Sequence, residues 1–422
     1  MLKRFETTDL QRRLLKNSGF NFTSLAVTSM ASFITSIIIA RSLQPTQAGI
    51  YFYLIWLAGT LALVINLGLP NTLTRFISEA KAKSDETLLK ILLSRTTAFT
   101  VGWGLLLSLV VLAAAPALPI QESARPYLWV IPVASVGLAL QTLFGAAILG
   151  LQKIKQLALA AAISQPLLVL TLLILAQSGN LASLVTATAL SYLLVALILF
   201  LPLRRDLHWP SVPWPETRQR FLGYAGVVSV ITFIDAVVWQ RSEVLFLGVL
   251  TGGEAVAYYA LAYGLSATAM KLIPGAFSGI LMPTVTETYL SEERWVLRRR
   301  FWRATLLVAG VVIPMIIAGY FIAPVVIPIL YGGNYQPVID AFRVVLVGGG
   351  FGAVASVASA VFYGTERPTF ILKFGLVVAI INISLDFVLI SQHGLLGAAW
   401  ANTISQGIGG LGGILYAGWI LK

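Results

Sequence analysis

Cysteine is absent from the 422 residues, which excludes disulfides and thiolate-bound metals. Histidine is nearly absent: His208 and His393 stand far apart with no clustered carboxylates, so no metal site and no cofactor is expected. No Gly-x4-Gly-Lys-Ser/Thr phosphate loop occurs, which removes ATP hydrolysis by that route. Charge is scarce as well, at 11% of residues against about 25% in a soluble domain. In its place stand 58% hydrophobic residues and a mean hydropathy of +0.86. A water-soluble fold of this length has no interior large enough for so much apolar surface, and lipid is the expected solvent.

Apolar runs long enough to cross a bilayer recur along the chain, and the spans are expected at 18–40, 48–68, 94–115, 128–149, 157–176, 182–202, 222–248, 256–281, 303–323, 338–362, 369–390 and 395–420. The run from Phe20 to Ala40 exceeds a signal-peptide core and no small-x-small cleavage pattern follows it, so it reads as a retained first span. The formal charge of +12 would suggest nucleic acid in a soluble chain, but the basic residues are placed otherwise. Lys and Arg concentrate before the first span and after the second, fourth, sixth, eighth and tenth. The positive-inside rule then places both termini in the cytoplasm of an inner-membrane protein with an even span count. Connections on the other side are short, leaving no room for a catalytic module.

The chain echoes itself at a shift of about 207 residues. LQPTQAGIYFYL from Leu43 to Leu54 answers LTGGEAVAYYAL from Leu250 to Leu261, pairing Leu43 with Leu250, Ala48 with Ala255 and Tyr51 with Tyr258. An even number of spans per half implies two six-helix lobes related by a pseudo-twofold axis along the membrane normal, around a central cavity. The expected division is an N-terminal lobe over 1–203, a cytoplasmic linker over 204–220 and a C-terminal lobe over 221–422. The linker is polar and carries three prolines, Pro210, Pro213 and Pro215.

Ionisable groups inside spans are expensive and therefore mark function. In the seventh span Thr232, Asp235, Trp239 and Glu243 share one face of a regular helix, whereas Arg241 points elsewhere, either snorkelling to the interface or lining the cavity. Lys271 in the eighth span lies among Gly264, Ala267, Thr268, Gly275 and Ser278, a small and polar face that fits a wet cavity, and it is the leading candidate for an anion contact. Asn382 and Asp386 in the eleventh span, and Asn402 and Gln406 in the twelfth, form two further polar stripes that serve as secondary cavity residues or as interhelical hydrogen bonding. The glycine clusters at 348–352 and 407–413 sit inside apolar spans, where small residues let helices approach closely.

These residues resemble a family: the bacterial and archaeal polysaccharide flippases (Wzx-like, the PST group) of the multidrug/oligosaccharidyl-lipid/polysaccharide exporter superfamily. The resemblance is carried by IIIARSLQPTQAGIYFYL, FLGVLTGGEAVAYYALAYGL and LYGGNYQPVIDAFRVVLVG, together with the 6+6 plan. It implies a non-enzymatic transporter working by alternating access on a polyprenyl-diphosphate-linked oligosaccharide, for surface polysaccharide synthesis. Membrane lipids, H+ or Na+ as coupling ion and contacts with polysaccharide biosynthesis enzymes are the expected partners, with no nucleic acid. Lipid II flippases of the same superfamily carry arginines in their first span, where this chain has Asn21, Thr23, Ser24, Thr28 and Ser29, a departure that counts against a peptidoglycan precursor. The physical need is independent of the family: each sugar hydroxyl moved unsatisfied into hydrocarbon costs several kcal/mol, and a diphosphate far more. An ion-coupled drug or organic-cation antiporter is the alternative, kept open by Asp235 with Trp239; a membrane-embedded glycan polymerase or ligase is a remoter one.

Overall fold

The structure, a computed structural model, describes residues 2–115, 122–205, 217–239, 242–270, 294–364 and 368–421. Among these it contains helices and no strand. In chain order they are α1 (Leu2–Ser42), α2 (Pro45–Asn66), α3 (Leu69–Ala82), α4 (Glu86–Ala114), α5 (Val130–Gly150), α6 (Ile154–Ala176), α7 (Leu181–Phe200), α8 (Thr217–Trp239), α9 (Glu243–Leu250), α10 (253–270), α11 (Arg294–Tyr331), α12 (Val338–Gly364) and α13 (Pro368–Ile420). Nine of the described helices are long and apolar enough to cross a bilayer. One of them, Lys373–Ile420, holds two expected spans, because Gly394 interrupts α13 with φ 53° and ψ −124°. That left-handed backbone is open to glycine at little strain, which is why the polar break between the last two spans falls there.

The outer surfaces are greasy where a soluble protein would be charged. Phe321 is 72% and Leu306 69% exposed, both on α11. Such side chains face lipid, which solvates them as well as a protein core would.

The helices form two compact units, one of Met1–Ser42 with Leu54–Phe233 and the other of Leu43–Tyr53 with Ile234–Lys422. Of the three boundaries, one falls between α1 and α2 and two fall inside helices, within α2 and within α8. The expected lobes meet in the polar stretch 204–220; the first unit extends past it to Phe233, and Phe221 and Ala225 of α8 join the core that holds Phe76 of α3.

In unit 1, α1 packs on α6, α5 on α7, and α3 on α4 and α5. α3 is an element absent from the expected span list. Its Leu69, Leu73, Phe76, Ile77 and Ala80 are buried on one stripe, while Arg75 and Lys81 keep to the exposed side. Leu67 and Gly68 both take positive φ, breaking α2 from α3. Ser229 of α8 donates its hydroxyl to the Leu67 carbonyl, and a Cβ on Gly68 would meet the Ser229 backbone nitrogen at 2.7 Å. The unit 1 core joins Phe76, Leu92, Phe144, Leu199 and Phe221, so five helices share one apolar interior.

In unit 2, α12 packs on α11 and α13, and α9 packs on α13. The segment Leu43–Tyr53 completes it. There the two copies of the echoed motif lie against each other: Thr46 donates to Glu254 Oε1 at 2.9 Å, and a Cβ added at Gly49 would overlap the Gly253 carbonyl oxygen. Buried Tyr335 donates its hydroxyl to the Leu43 carbonyl at 3.1 Å, fixing the start of the segment.

Candidate functional site

The polar interior of unit 2 gathers on three helical segments. α9 opens on Glu243, preceded by Ser242; the first arm of α13 presents Asn382 and Asp386 one turn apart; the second arm presents Asn402, Ser405 and Gln406. All but Ser242 are fully or almost fully buried, with Glu243 at 1% exposure and Asn382, Asp386 and Ser405 at 0%. A buried carboxylate is tolerated only when donors surround it.

Donors do surround Glu243. Its Oε1 accepts from Asn402 Nδ2 at 2.9 Å and from Asn382 Nδ2 at 3.4 Å. Asn382 Nδ2 also reaches Ser405 Oγ at 3.1 Å, and Gln406 Nε2 donates to Asn402 Oδ1 at 2.7 Å, fixing the amide that faces the carboxylate. Each amide therefore points its NH2 group towards the acid and is held so by a neighbour.

Tyr259, fully buried on α10, faces Glu243 with its hydroxyl, and Glu243 Oε2 and Asp386 Oδ1 are both buried in the same cluster. Ser242 Oγ lies 2.8 Å from Asn382 Oδ1 and 2.8 Å from Asp386 Oδ2. A hydroxyl has one proton and serves one acceptor at a time. Both contacts are hydrogen bonds at once only when Asp386 carries a proton of its own. Two carboxylates, three amide side chains, two serine hydroxyls and the Tyr259 phenol thus form one buried, oxygen-rich cluster, matched chemically to a proton or a small hard cation.

Several expected site residues meet here, and others do not. Glu243 was grouped with Thr232, Asp235 and Trp239 on one face of a continuous seventh span. α8 is described to Trp239 and α9 from Glu243, with 240–241 outside the described residues. Glu243 takes its donors from both arms of α13. Thr232 is half-buried in unit 1, on α8. The side chains of Asp235 and Trp239 lie outside the described residues, as do Arg241 and Lys271 altogether. The stripes of Asn382 with Asp386 and Asn402 with Gln406 come together with Glu243 in one cluster. Ser242 and Ser405 are the members that were not singled out as site residues; serine next to an intramembrane acid was the available signal.

Comparison with known proteins gives the following. A family model described as "Polysaccharide biosynthesis protein" matches residues 14–289, and one described as "Lipid II flippase MurJ" matches residues 249–418. Sporulation protein YkvU of Bacillus subtilis (strain 168) is 22% identical over 305 residues, covering 67% of this chain and 68% of that protein. Among solved structures, an inward-facing multidrug resistance MATE family transporter of the MOP superfamily superposes with a TM-score of 0.77 at 15% identity, covering 95% of this chain and 98% of that one. Lipid II flippase MurJ in an inward closed conformation superposes with a TM-score of 0.72 at 12% identity, covering 94% of this chain and 86% of that one.

Proposed function

From the premise that the chain belongs to the polysaccharide biosynthesis protein family and is a multi-pass membrane transporter, we propose that it flips a polyprenyl-diphosphate-linked oligosaccharide between leaflets by alternating access. The direction is from the cytoplasmic to the outer leaflet of an inner membrane, with both termini cytoplasmic, and the product serves surface polysaccharide synthesis. Halves over 1–203 and 221–422, joined by 204–220, act as the two lobes of the cycle. Lys271 is the proposed contact for the diphosphate or an acidic sugar, and Asp235 with Thr232, Trp239 and Arg241 extends that contact. The name of the flippase family whose model fits the second half supports a lipid-linked cargo. A first span with Asn21, Thr23 and Ser24 in place of arginine argues for a sugar chain other than the peptidoglycan precursor.

The observation that supports the coupling part of this reading is the burial of two carboxylates, Glu243 and Asp386, in one cluster of amides and hydroxyls without a cationic partner among the described residues. An uncompensated acid at this depth is retained for work, not for stability. H+ or Na+ bound at this cluster changes the charge of unit 2 by one. One charge moved through the membrane potential is worth ~2.3 kcal/mol per 100 mV, enough to bias a two-state cycle.

The test is reconstitution into vesicles holding a labelled polyprenyl-diphosphate oligosaccharide, with an impermeant reagent reporting which leaflet holds the sugar. Sugar should exchange between leaflets in a manner dependent on the sodium or proton gradient. If the sugar stays in place while a lipophilic cation is expelled instead, the antiporter reading replaces this one.

A further inference from the structure

Unit 1 has a second feature that the transport cycle does not use. At the end of α7 the chain makes one 3-10 turn, Leu201–Leu203, pinned by the fully buried Leu203, and then releases Arg204 and Arg205. Beside it α6 begins after Lys153, and no side chain caps that helix. Lys153, Arg204 and Arg205 line one open cavity of about 380 Å³ with Leu201 and Pro202.

Cations after a span are ordinary, and the negative end of α7 favours two of them. What the ordinary reading leaves out is their convergence. Three like charges around one concavity repel, and none of the three side chains makes an ion pair or a hydrogen bond with another described residue. By contrast, Glu79 and Glu86 in the same unit both take lysine or arginine partners. The uncapped start of α6 adds further positive potential. Leu201, 51% exposed, supplies an apolar wall next to the charges. A phosphate with a hydrocarbon neighbour fits that combination, and a free carboxylate metabolite does not use the apolar wall.

We infer that this cavity is a binding site for the phosphate headgroup of an anionic phospholipid, lodged where α6 and α7 leave the bilayer. The ligand chemistry is a lipid phosphate; its source is the bulk leaflet, because the cavity lies wholly within unit 1 and is ringed by span ends, not by the buried acids of unit 2. Bound lipid would tether the ends of α6 and α7 to the membrane surface. The inference is independent of the cargo assigned above.

Native mass spectrometry of the full-length protein tests it, with phosphatidylglycerol, phosphatidylcholine and a polyprenyl diphosphate as separate probes. Lys153→Ala/Arg204→Ala/Arg205→Ala should weaken phosphatidylglycerol binding at least about tenfold, since each surface cation contributes roughly 1 kcal/mol towards anionic lipid. Lys153→Arg/Arg204→Lys/Arg205→Lys should keep it, and phosphatidylcholine should be indifferent to both. Should the alanine triple fail to fold, Arg204→Ala alone is expected to weaken binding about fivefold. Unchanged phosphatidylglycerol binding in the folded variant overturns the site. A loss confined to the polyprenyl diphosphate also overturns it, by handing the cavity to the cargo lipid.

Discussion

The first unit meets its charges at the ends of helices. Glu79 on α3 accepts Arg220 through both oxygens, at 3.0 and 2.6 Å, and Lys83 at 2.8 Å, all in partly exposed positions. Lys81 donates to the Leu151 carbonyl at 2.6 Å, where α5 runs out of intrahelical partners. Its interior polar groups are uncharged: hydroxyls folded back on their own helix, as Thr96 and Ser164 are, and Asn66, whose amide reaches Thr142 between α2 and α5. The second unit does the reverse: two carboxylates and three amides sit in the interior, bonded between helical segments. Two halves with an echoed sequence plan thus hold their chemistry in opposite places. Among the described residues, the buried carboxylates belong to one half.

The largest effect expected on that contrast comes from Glu243→Gln. It keeps shape and two hydrogen-bonding atoms but removes the charge, and losing a coupled charge at about 100 mV forfeits roughly fiftyfold in transport bias. Gradient-driven flipping should collapse while the melting temperature in detergent stays level or rises, since an uncompensated buried charge is gone. Wild-type flipping by this variant would break the comparison at its root. Next in size is Gly49→Ala, whose methyl has to displace the Gly253 carbonyl, a backbone atom; a destabilisation of about 3 kcal/mol or more is expected by thermal unfolding. Asn402→Ala strips the shorter donor from Glu243 Oε1 and should cost about 1–3 kcal/mol, with Gln406→Ala milder because it touches the acid only through Asn402.

The smallest effect belongs to unit 1. Arg220→Ala should leave transport intact and lower stability slightly, the pair being open to solvent and salt. Its signature is pH. The Arg220 guanidinium, with help from Lys83, holds the Glu79 carboxyl down at about 2 against an ordinary 4.5. A depressed acid stabilises the fold above its unfolded value and loses that contribution as pH falls through the folded one. The difference between wild type and Arg220→Ala should therefore be complete near neutrality and fade between about 4.5 and about 2. If Arg220→Ala harms transport more than Glu243→Gln does, the two units have been ranked the wrong way round.

The spans were legible because apolar length is written directly in the sequence, and membrane helices need little else. α3 was not, since Arg75, Glu79 and Lys81 give its stretch the look of a polar connection; the period of Leu69, Leu73, Phe76, Ile77 and Ala80 was present and had to be weighed against those charges. In the candidate site, each polar stripe was visible on its own helix. That the face of Asn382 and Asp386 meets the face of Asn402 is a property of the turn at Gly394, which no helical period encodes. The leading anion contact, Lys271, lies outside the described residues, so its part in the site rests on the flipping assay.

The lending of Leu43–Tyr53 to unit 2 has a consequence for how such a chain is divided. A gene cut within 206–216 yields two polypeptides, of which the second lacks the stretch that Gly253 and Tyr335 pack against. Coexpressed fragments should then function only as a pair, with the first donating its segment in trans, and the second alone should be degraded.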